Sequence, residues 1–213
     1  MKRLAIIGAG GHGKVAADIA LQSDWEEVCF FDDMSCDERL EHWPLVGDTQ
    51  RLLTTLEQFA GVFVAIGNNV IRKQKLSLLQ AHSAPITTLV HPHSAVSPFA
   101  SLGAGAIVVA GAVINAFAKV GTGAVINSGA TIGHDCILGD YVHVAPGANV
   151  AGGVVIGEST WVGIGSAIRQ GICVGSGVTI AAGAIVVRNA QAGELLMGIP
   201  ARPHNSENSS KSN

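Results

Sequence analysis

KVGTGAVINSGATIGHDCILGDYVHV, residues 119–144, decides the fold. Every sixth residue in it is aliphatic: Val120, Ile126, Ile132, Leu138 and Val144. The register continues in both directions, back through Ile114, Val108 and Leu102 to Val96 and forward through Val150, Ile156, Val162, Ile168, Val174 and Ile180 to Val186. Four residues after these positions the side chain is usually small, as at Ala100, Ala106, Ala112, Ala118, Ala124, Ala130, Ala148 and Ala184. Glycine often follows the aliphatic directly, as at Gly103, Gly121, Gly133, Gly139, Gly157, Gly163 and Gly175. A period of six is neither the 3.6 of a helix nor the 2 of an ordinary strand, and repetition on this scale marks a solenoid. Each hexad supplies one short strand and one corner, and three hexads close a triangular coil. The run then makes about five coils, each rising by about one strand spacing of 4.8 Å. The aliphatic points into the prism, and the small residue faces inward near the corner, where a larger one would meet the coils above and below.

The composition agrees. Of 213 residues 48% are hydrophobic but only 5% are aromatic, and there are 27 glycines, so the core is built from small and β-branched side chains. A net charge of -3 without a basic run provides no footprint for nucleic acid or an anionic membrane. No apolar stretch reaches the roughly 18 residues of a membrane span, and the start of the chain is too short in apolar residues for a signal peptide. A soluble protein is expected. Cys29, Cys36, Cys136 and Cys173 lack CxxC spacing, so neither a disulfide nor a metal site is expected.

Residues 1–85 have a different rhythm. Leu4–Ile7, Val28–Phe31 and Val62–Ile66 read as strands, and Lys14–Gln22, Asp48–Phe59 and Asn69–Ala81 read as helices. This alternation predicts a small parallel sheet of about four strands, half of a full dinucleotide-binding fold. The expected organisation is an α/β Rossmann-like half domain (1–85), a connector (86–95), the solenoid (96–190), a cap (191–203) and a disordered tail (204–213).

The prism interior is closed and apolar, so chemistry must sit outside it. Asn127, His134, Asp135, Asp140 and His143 crowd polar groups onto an otherwise bland surface. An imidazole suits a general base that takes a proton from an attacking amine or hydroxyl, and Asp135 could orient the His134 ring. Adjacent strand residues point to opposite faces, so that contact requires a corner at Asp135. His134 and His143 are nine residues apart, half a coil, and should project from different sides. In the first domain Gly8–Gly13 (GAGGHG) follows a strand, with Asp32 nineteen residues beyond Gly13. This is the spacing of a diphosphate-binding loop and a ribose-binding carboxylate, and half a fold suits one nucleotide better than two. A third segment, Ile66–Lys73 (IGNNVIRK), closes a strand with Asn68 and Asn69 and places Arg72 and Lys73 in the first turns of a helix.

Taken together, GAGGHG, FDD (31–33), IGNNVIRK, the hexads and MGIPAR (197–202) resemble the bacterial sugar acyltransferases that join a nucleotide-binding domain to a left-handed parallel β-helix. Within them the chain is most similar to the UDP-4-amino-sugar N-acetyltransferases of bacillosamine biosynthesis. The resemblance implies an acetyl-CoA-dependent N-acetyltransferase of glycan biosynthesis, cytoplasmic and homotrimeric, with the acyl donor between neighbouring β-helices. It implies His134 as general base and Asp135 as its orienting acid, a position where the family carries glutamate. It places His143, Gly152 and Ile164 by acetyl-CoA, with the Gly152 N–H as an oxyanion donor. It assigns the nucleotide-sugar to Gly10, Gly11, His12, Gly13, Asp32, Asp33, Asn68 and Arg72, with Asn127 near the amine. Neither a metal nor NAD is expected: a hydride mechanism would leave the hexads without purpose, as a bare scaffold would leave His134 and the glycine loop. O-acetylation of a sialic acid or another sugar hydroxyl is the alternative reaction.

Overall fold

The computed structural model describes residues 2–35 and 37–204. Cys36 and the tail expected to be disordered, apart from His204, lie outside the described residues. The first part is a five-stranded sheet. Its elements are β1 (Arg3–Ile7), α1 (Gly11–Leu21), β2 (Glu27–Phe31), β3 (Arg39–Leu40), β4 (Trp43–Gly47), α2 (Thr49–Leu53), β5 (Gly61–Val64) and α3 (Asn69–Ala81). The strand order is β3-β4-β2-β1-β5, so the connections reverse direction between β1 and β5. A crevice opens there at the carboxyl ends of the strands, the usual ligand position in an open α/β sheet. Strand alternation divides the core in two. Leu4 and Ile6 face α1 and the solenoid, whereas Ala5 and Ile7 face Leu52, Leu76 and Leu79.

Two expectations are corrected. The sheet is not purely parallel, because β3 and β4 form an antiparallel hairpin on its edge. The helix expected over Asp48–Phe59 stops at Leu53 and resumes only as a 3₁₀ turn at Leu56–Gln58. Thr54 and Thr55 turn their hydroxyls back onto the carbonyls of Arg51 and Leu52, competing with the helical ladder.

The second part is a left-handed parallel β-helix. Two-residue strands recur every six residues from Leu89–Val90 to Ile185–Val186, and each pairs with the strand eighteen residues away. Three faces result. The first carries Val125–Ile126, His143–Val144 and Trp161–Val162, the second Thr131–Ile132 and Asn149–Val150, and the third Lys119–Val120 and Ile137–Leu138. The coils begin one hexad before Val96, at Leu89–Val90, which pairs with Ile107–Val108. From Val108 to Val186 every aliphatic of the six-residue register is buried, as are the small residues four places on. Val96, Ala100 and Leu102 are partly buried at the open end. At the far end Leu195–Met197 continues the first face and Arg202–Pro203 folds back antiparallel onto it.

Each corner from residue 105 to residue 183 has one residue in left-handed backbone conformation. It is glycine except at Phe117, Asp135, Tyr141 and Ser159. Three of these four have a visible task. Asp135 faces His134, the Tyr141 carbonyl accepts from Arg72, and the Ser159 carbonyl accepts from Asn69.

The packing predicts that Ile156→Ala costs about 2 to 5 kcal/mol, because stacked coils cannot collapse into the void. Ala130→Leu should cost about 1 to 3 kcal/mol by overpacking. Thr131→Ala, whose hydroxyl points outward to Asn149, is the control. Equal melting temperatures for all three would show that the register does not fill the prism.

Candidate functional site

His134 and Asp135 stand on the corner between the second and third faces. Asp135 takes φ +58°, which turns both side chains to the same side. Nδ1 of His134 then lies 2.7 Å from an Asp135 carboxylate oxygen, with both side chains largely exposed. The corner required by the sequence is present. The imidazole lies over the next coil at Gly152, where a Cβ would fall 2.5 Å from Nε2. The Gly152 N–H donates to no acceptor among the described residues. Gly152→Ala should therefore push the ring off its seat. The expected result is turnover reduced about tenfold or more, as misplacing a reacting group costs. Unchanged turnover in a steady-state assay would show that the seat is not needed.

His143 lies elsewhere, on the outward side of the first face, buried beneath the first domain. Its Nδ1 is 3.3 Å from the Gly67 carbonyl and its Nε2 is 3.4 Å from Asn127 Nδ2. Its ring packs on Trp161 with centroids 4.1 Å apart, and His12 follows at 6.4 Å. Burial, and after it the Arg72 charge, hold His143 down to about 3 and His12 down to about 4. His12 Nε2 is enclosed without a hydrogen-bond partner. Both rings are neutral at physiological pH and present a donor and an acceptor rather than a charge.

A linkage follows. The unfolded chain protonates these rings near pH 6.5, the folded protein only near 4 and 3. Their contribution is complete above the unfolded value and is lost as pH falls towards the folded ones, by about 1.4 kcal/mol per pH unit for each ring. Thermal melts between about pH 7.5 and 4.5 should show this decline, and His143→Gln with His12→Asn should flatten it. An unchanged slope in the double variant would assign the decline to other groups.

The glycine loop separates by task. Gly13 is a close-packing position, since a Cβ would sit 2.2 Å from the Gly8 carbonyl oxygen. Gly10 and Gly11 open α1 with free space around them, so a ligand's phosphate can reach the helix N-terminus. Asp32 supports the loop by accepting the Ala9 N–H at 2.7 Å and the Met34 and Ser35 N–H groups at 2.8 and 3.1 Å. Burial works against the Asp33 carboxylate, but Lys75 and the N–H and hydroxyl of Thr49 hold its pKa below the usual range. Ile7, Gly8, Asp32, Asp33, Ile66, Ile71 and Lys75 enclose a cleft of about 340 Å³ at the β1–β5 crevice. Asn68 caps α3 through its side-chain oxygen, to the N–H groups of Val70 and Ile71.

Arg72, expected among the nucleotide-sugar ligands, is corrected. It is fully buried, and its guanidinium donates to the carbonyls of Gly123, Ile66, Gly67 and Tyr141 and to Asn69 Oδ1, all within 2.7–2.9 Å. Every N–H is engaged, so none remains for a substrate. Arg72 is a strut between α3 and the β-helix. Burial lowers its pKa only to about 10, so it stays charged. Ile164 is exposed on the corner after the first face. Trp161 is not singled out by the sequence reading; the signal that marks it is an aromatic at an outward strand position, in a register that holds no other Phe, Tyr or Trp.

Among the described residues no group of three or more His, Cys, Asp or Glu side chains is placed to hold a metal ion, and no helix is long and apolar enough to cross a membrane. Two family descriptions match, "PglD N-terminal domain" over residues 3–79 and "Bacterial transferase hexapeptide (six repeats)" over 117–152. The chain is 41% identical to the acetyltransferase domain of PglB from Neisseria gonorrhoeae FA1090, solved with acetyl coenzyme A, covering 95% of this chain and 99% of that one at a TM-score of 0.92. It is 35% identical to PerB from Caulobacter crescentus, solved with CoA and GDP-perosamine, covering 96% and 98% at a TM-score of 0.91. A UDP-N-acetylbacillosamine N-acetyltransferase of Bacillus subtilis (strain 168) is 35% identical over 117 residues, a match spanning about half of each protein, 52%.

Proposed function

We propose, of a chain that belongs to the bacterial acetyltransferases joining a PglD-type N-terminal domain to a hexapeptide-repeat β-helix, that it transfers acetyl from acetyl-CoA to the amine of a nucleotide-linked 4-amino sugar. The observation that carries this reading is the exposed His134–Asp135 pair on a protein that also holds an open glycine loop. In our reading Asp135 accepts the Nδ1 proton and leaves Nε2 to take a proton from the attacking amine. The amine nitrogen bonds to the thioester carbonyl carbon, the C–S bond breaks and the thiolate of CoA leaves. The Gly152 N–H, beside Nε2, is suited to the oxyanion that forms in between. Binding at Gly10, Gly11, Asp32 and Asp33 would hold the nucleotide, while His12, Asn127 and His143, neutral and desolvated, would line the approach of the amine or thioester.

Within one chain these groups do not converge. His134 stands at the corner of the second and third faces, and His143 and the loop lie over the first. A second copy can bring the two halves together, and we propose a homotrimer with sites between subunits. Phe99 and Phe117 support this, exposed and stacked 5.5 Å apart on the corner that bears Asp135. We place the enzyme in the cytoplasm, with its substrates. The test is incubation with acetyl-CoA and UDP- and GDP-linked 4-amino sugars, read by thiol release and by the mass of the product. Acetylation of a sugar hydroxyl, or none at all, would overturn the reading.

A further inference from the structure

The outward residues of the first face form a column, Ile107, Val125, His143, Trp161 and Thr179, one above the next in the ladder. The first domain covers only part of it. Ile107, Val125 and His143 are buried, Trp161 is 36% exposed and Thr179 is exposed. Trp161 therefore stands where the cover ends. Its ring lies against His143 from the next coil, with centroids 4.1 Å apart and planes tilted by 39°.

The hydrogen bonds at His143 run in one direction. The Ser128 N–H donates to Asn127 Oδ1 at 2.8 Å, which turns Asn127 Nδ2 towards the imidazole. Asn127 Nδ2 donates to His143 Nε2, and His143 Nδ1 donates to the Gly67 carbonyl, since a carbonyl only accepts. This order requires the neutral tautomer with its hydrogen on Nδ1, because a hydrogen on Nε2 would set two donors against each other. With Oδ1 taken by Ser128 and one Nδ2 hydrogen by His143, Asn127 keeps its second Nδ2 hydrogen in a fixed direction. The two contacts of the ring are long, however. At 3.4 and 3.3 Å they fall outside the usual range of about 2.7 to 3.2 Å and are too weak to hold the imidazole by themselves. Charge does not hold it either. Arg72 on α3 and His12 on α1 both oppose a charge on the ring, and neither reaches one of its nitrogens by a hydrogen bond among the described residues. No carboxylate acts on it. What remains is packing, with Val125 on the coil before and Trp161 on the coil after.

We propose that Trp161 is a positioning residue: by closing the rim of the domain interface it keeps water from His143 and holds the ring in the Nδ1–H tautomer, so that Asn127 remains a directed donor. It touches no reacting atom. The effect on catalysis rests on the reading of Asn127 and His143 as lining the approach of the amine or thioester; the effect on the ring does not.

The test observes the ring itself. Trp161→Thr puts the residue of the next coil at this position, a β-branched side chain that the ladder already accepts at Thr179, and Trp161→Val copies Val125 of the column. Trp161→Phe keeps an aromatic face. Long-range proton–nitrogen NMR of the full chain labelled at histidine, with His143→Gln to assign the signals, shows which ring nitrogen carries the hydrogen and at what pH the second proton arrives. Wild type at neutral pH should show the Nδ1–H form alone. Trp161→Thr and Trp161→Val should mix the tautomers and raise the protonation midpoint by about one pH unit or more, towards that of a solvated imidazole. Their kcat/KM for the amino sugar should fall about three- to tenfold, one hydrogen bond's worth. Trp161→Phe should restore the single tautomer and bring kcat/KM to within about twofold of wild type. Either folded variant decides: the wild-type tautomer and midpoint in Trp161→Thr or Trp161→Val overturn the proposal, as does a Phe variant disturbed as much as they are. Loss of kcat/KM with unchanged spectra would give Trp161 a direct contact with substrate and overturn it too. Failure of the acetyl-transfer reading looks different, since wild-type protein would then turn over no acceptor while the spectra still answered for Trp161.

Discussion

His134→Ala is expected to lower turnover about 10² to 10⁴-fold, the usual worth of a positioned proton acceptor. The loss should fall on kcat, because the ring lies on the prism surface and holds no part of the fold. Acetyl-CoA affinity, measured by calorimetry, should change little. Asp135→Asn should cost less than His134→Ala, since it weakens orientation and removes the charge that stabilises the imidazolium but leaves the base in place. Its reduced effect would also fit the exposure of the pair, where water can substitute for part of the carboxylate's role. Near-wild-type turnover in His134→Ala would remove this residue from the reaction and shift attention to His143.

Arg72→Ala is expected to destabilise the protein by about 3 to 5 kcal/mol, as does removing one member of a buried polar network. Five acceptors lose their donor at once, and they belong to both domains: Ile66, Gly67 and Asn69 on one side, Gly123 and Tyr141 on the other. Arg72→Lys should recover only part, since an ammonium has three donors and no planar fork. Chemical denaturation measures both. If Arg72→Ala is as stable as wild type and instead raises the KM for the nucleotide-sugar alone, the strut assignment is wrong.

The solenoid is legible because its physics is repetitive. An aliphatic that must point into a narrow prism at Ile126 must do so again at Ile132 and Leu138, so the spacing shows in the letters themselves. The His134–Asp135 contact is legible only as a condition, since the pair of letters does not say that residue 135 takes left-handed backbone. The edge hairpin is hidden because Trp43-Pro44-Leu45-Val46 contains a proline and pairs only at the margin of the sheet, where proline is tolerated. Arg72 misleads for a general reason. A cation in the first turn of an amphipathic helix is ordinarily solvated or ligand-facing, and only the packing of α3 against the coil corner reveals its depth.

The folded-back strand Arg202–Pro203 has a consequence beyond closing the last coil. A stack of parallel coils ends in a row of unpaired amides and carbonyls, a template on which a further chain could continue the ladder and begin a filament. Reversing direction at Leu196 and Met197 ends the parallel register on the first face, and Pro203 puts a residue without an N–H on the outermost strand. Chains shortened before Ala201 would present a growing tip, and their tendency to polymerise on concentration, followed by light scattering, is the property this terminal turn suppresses.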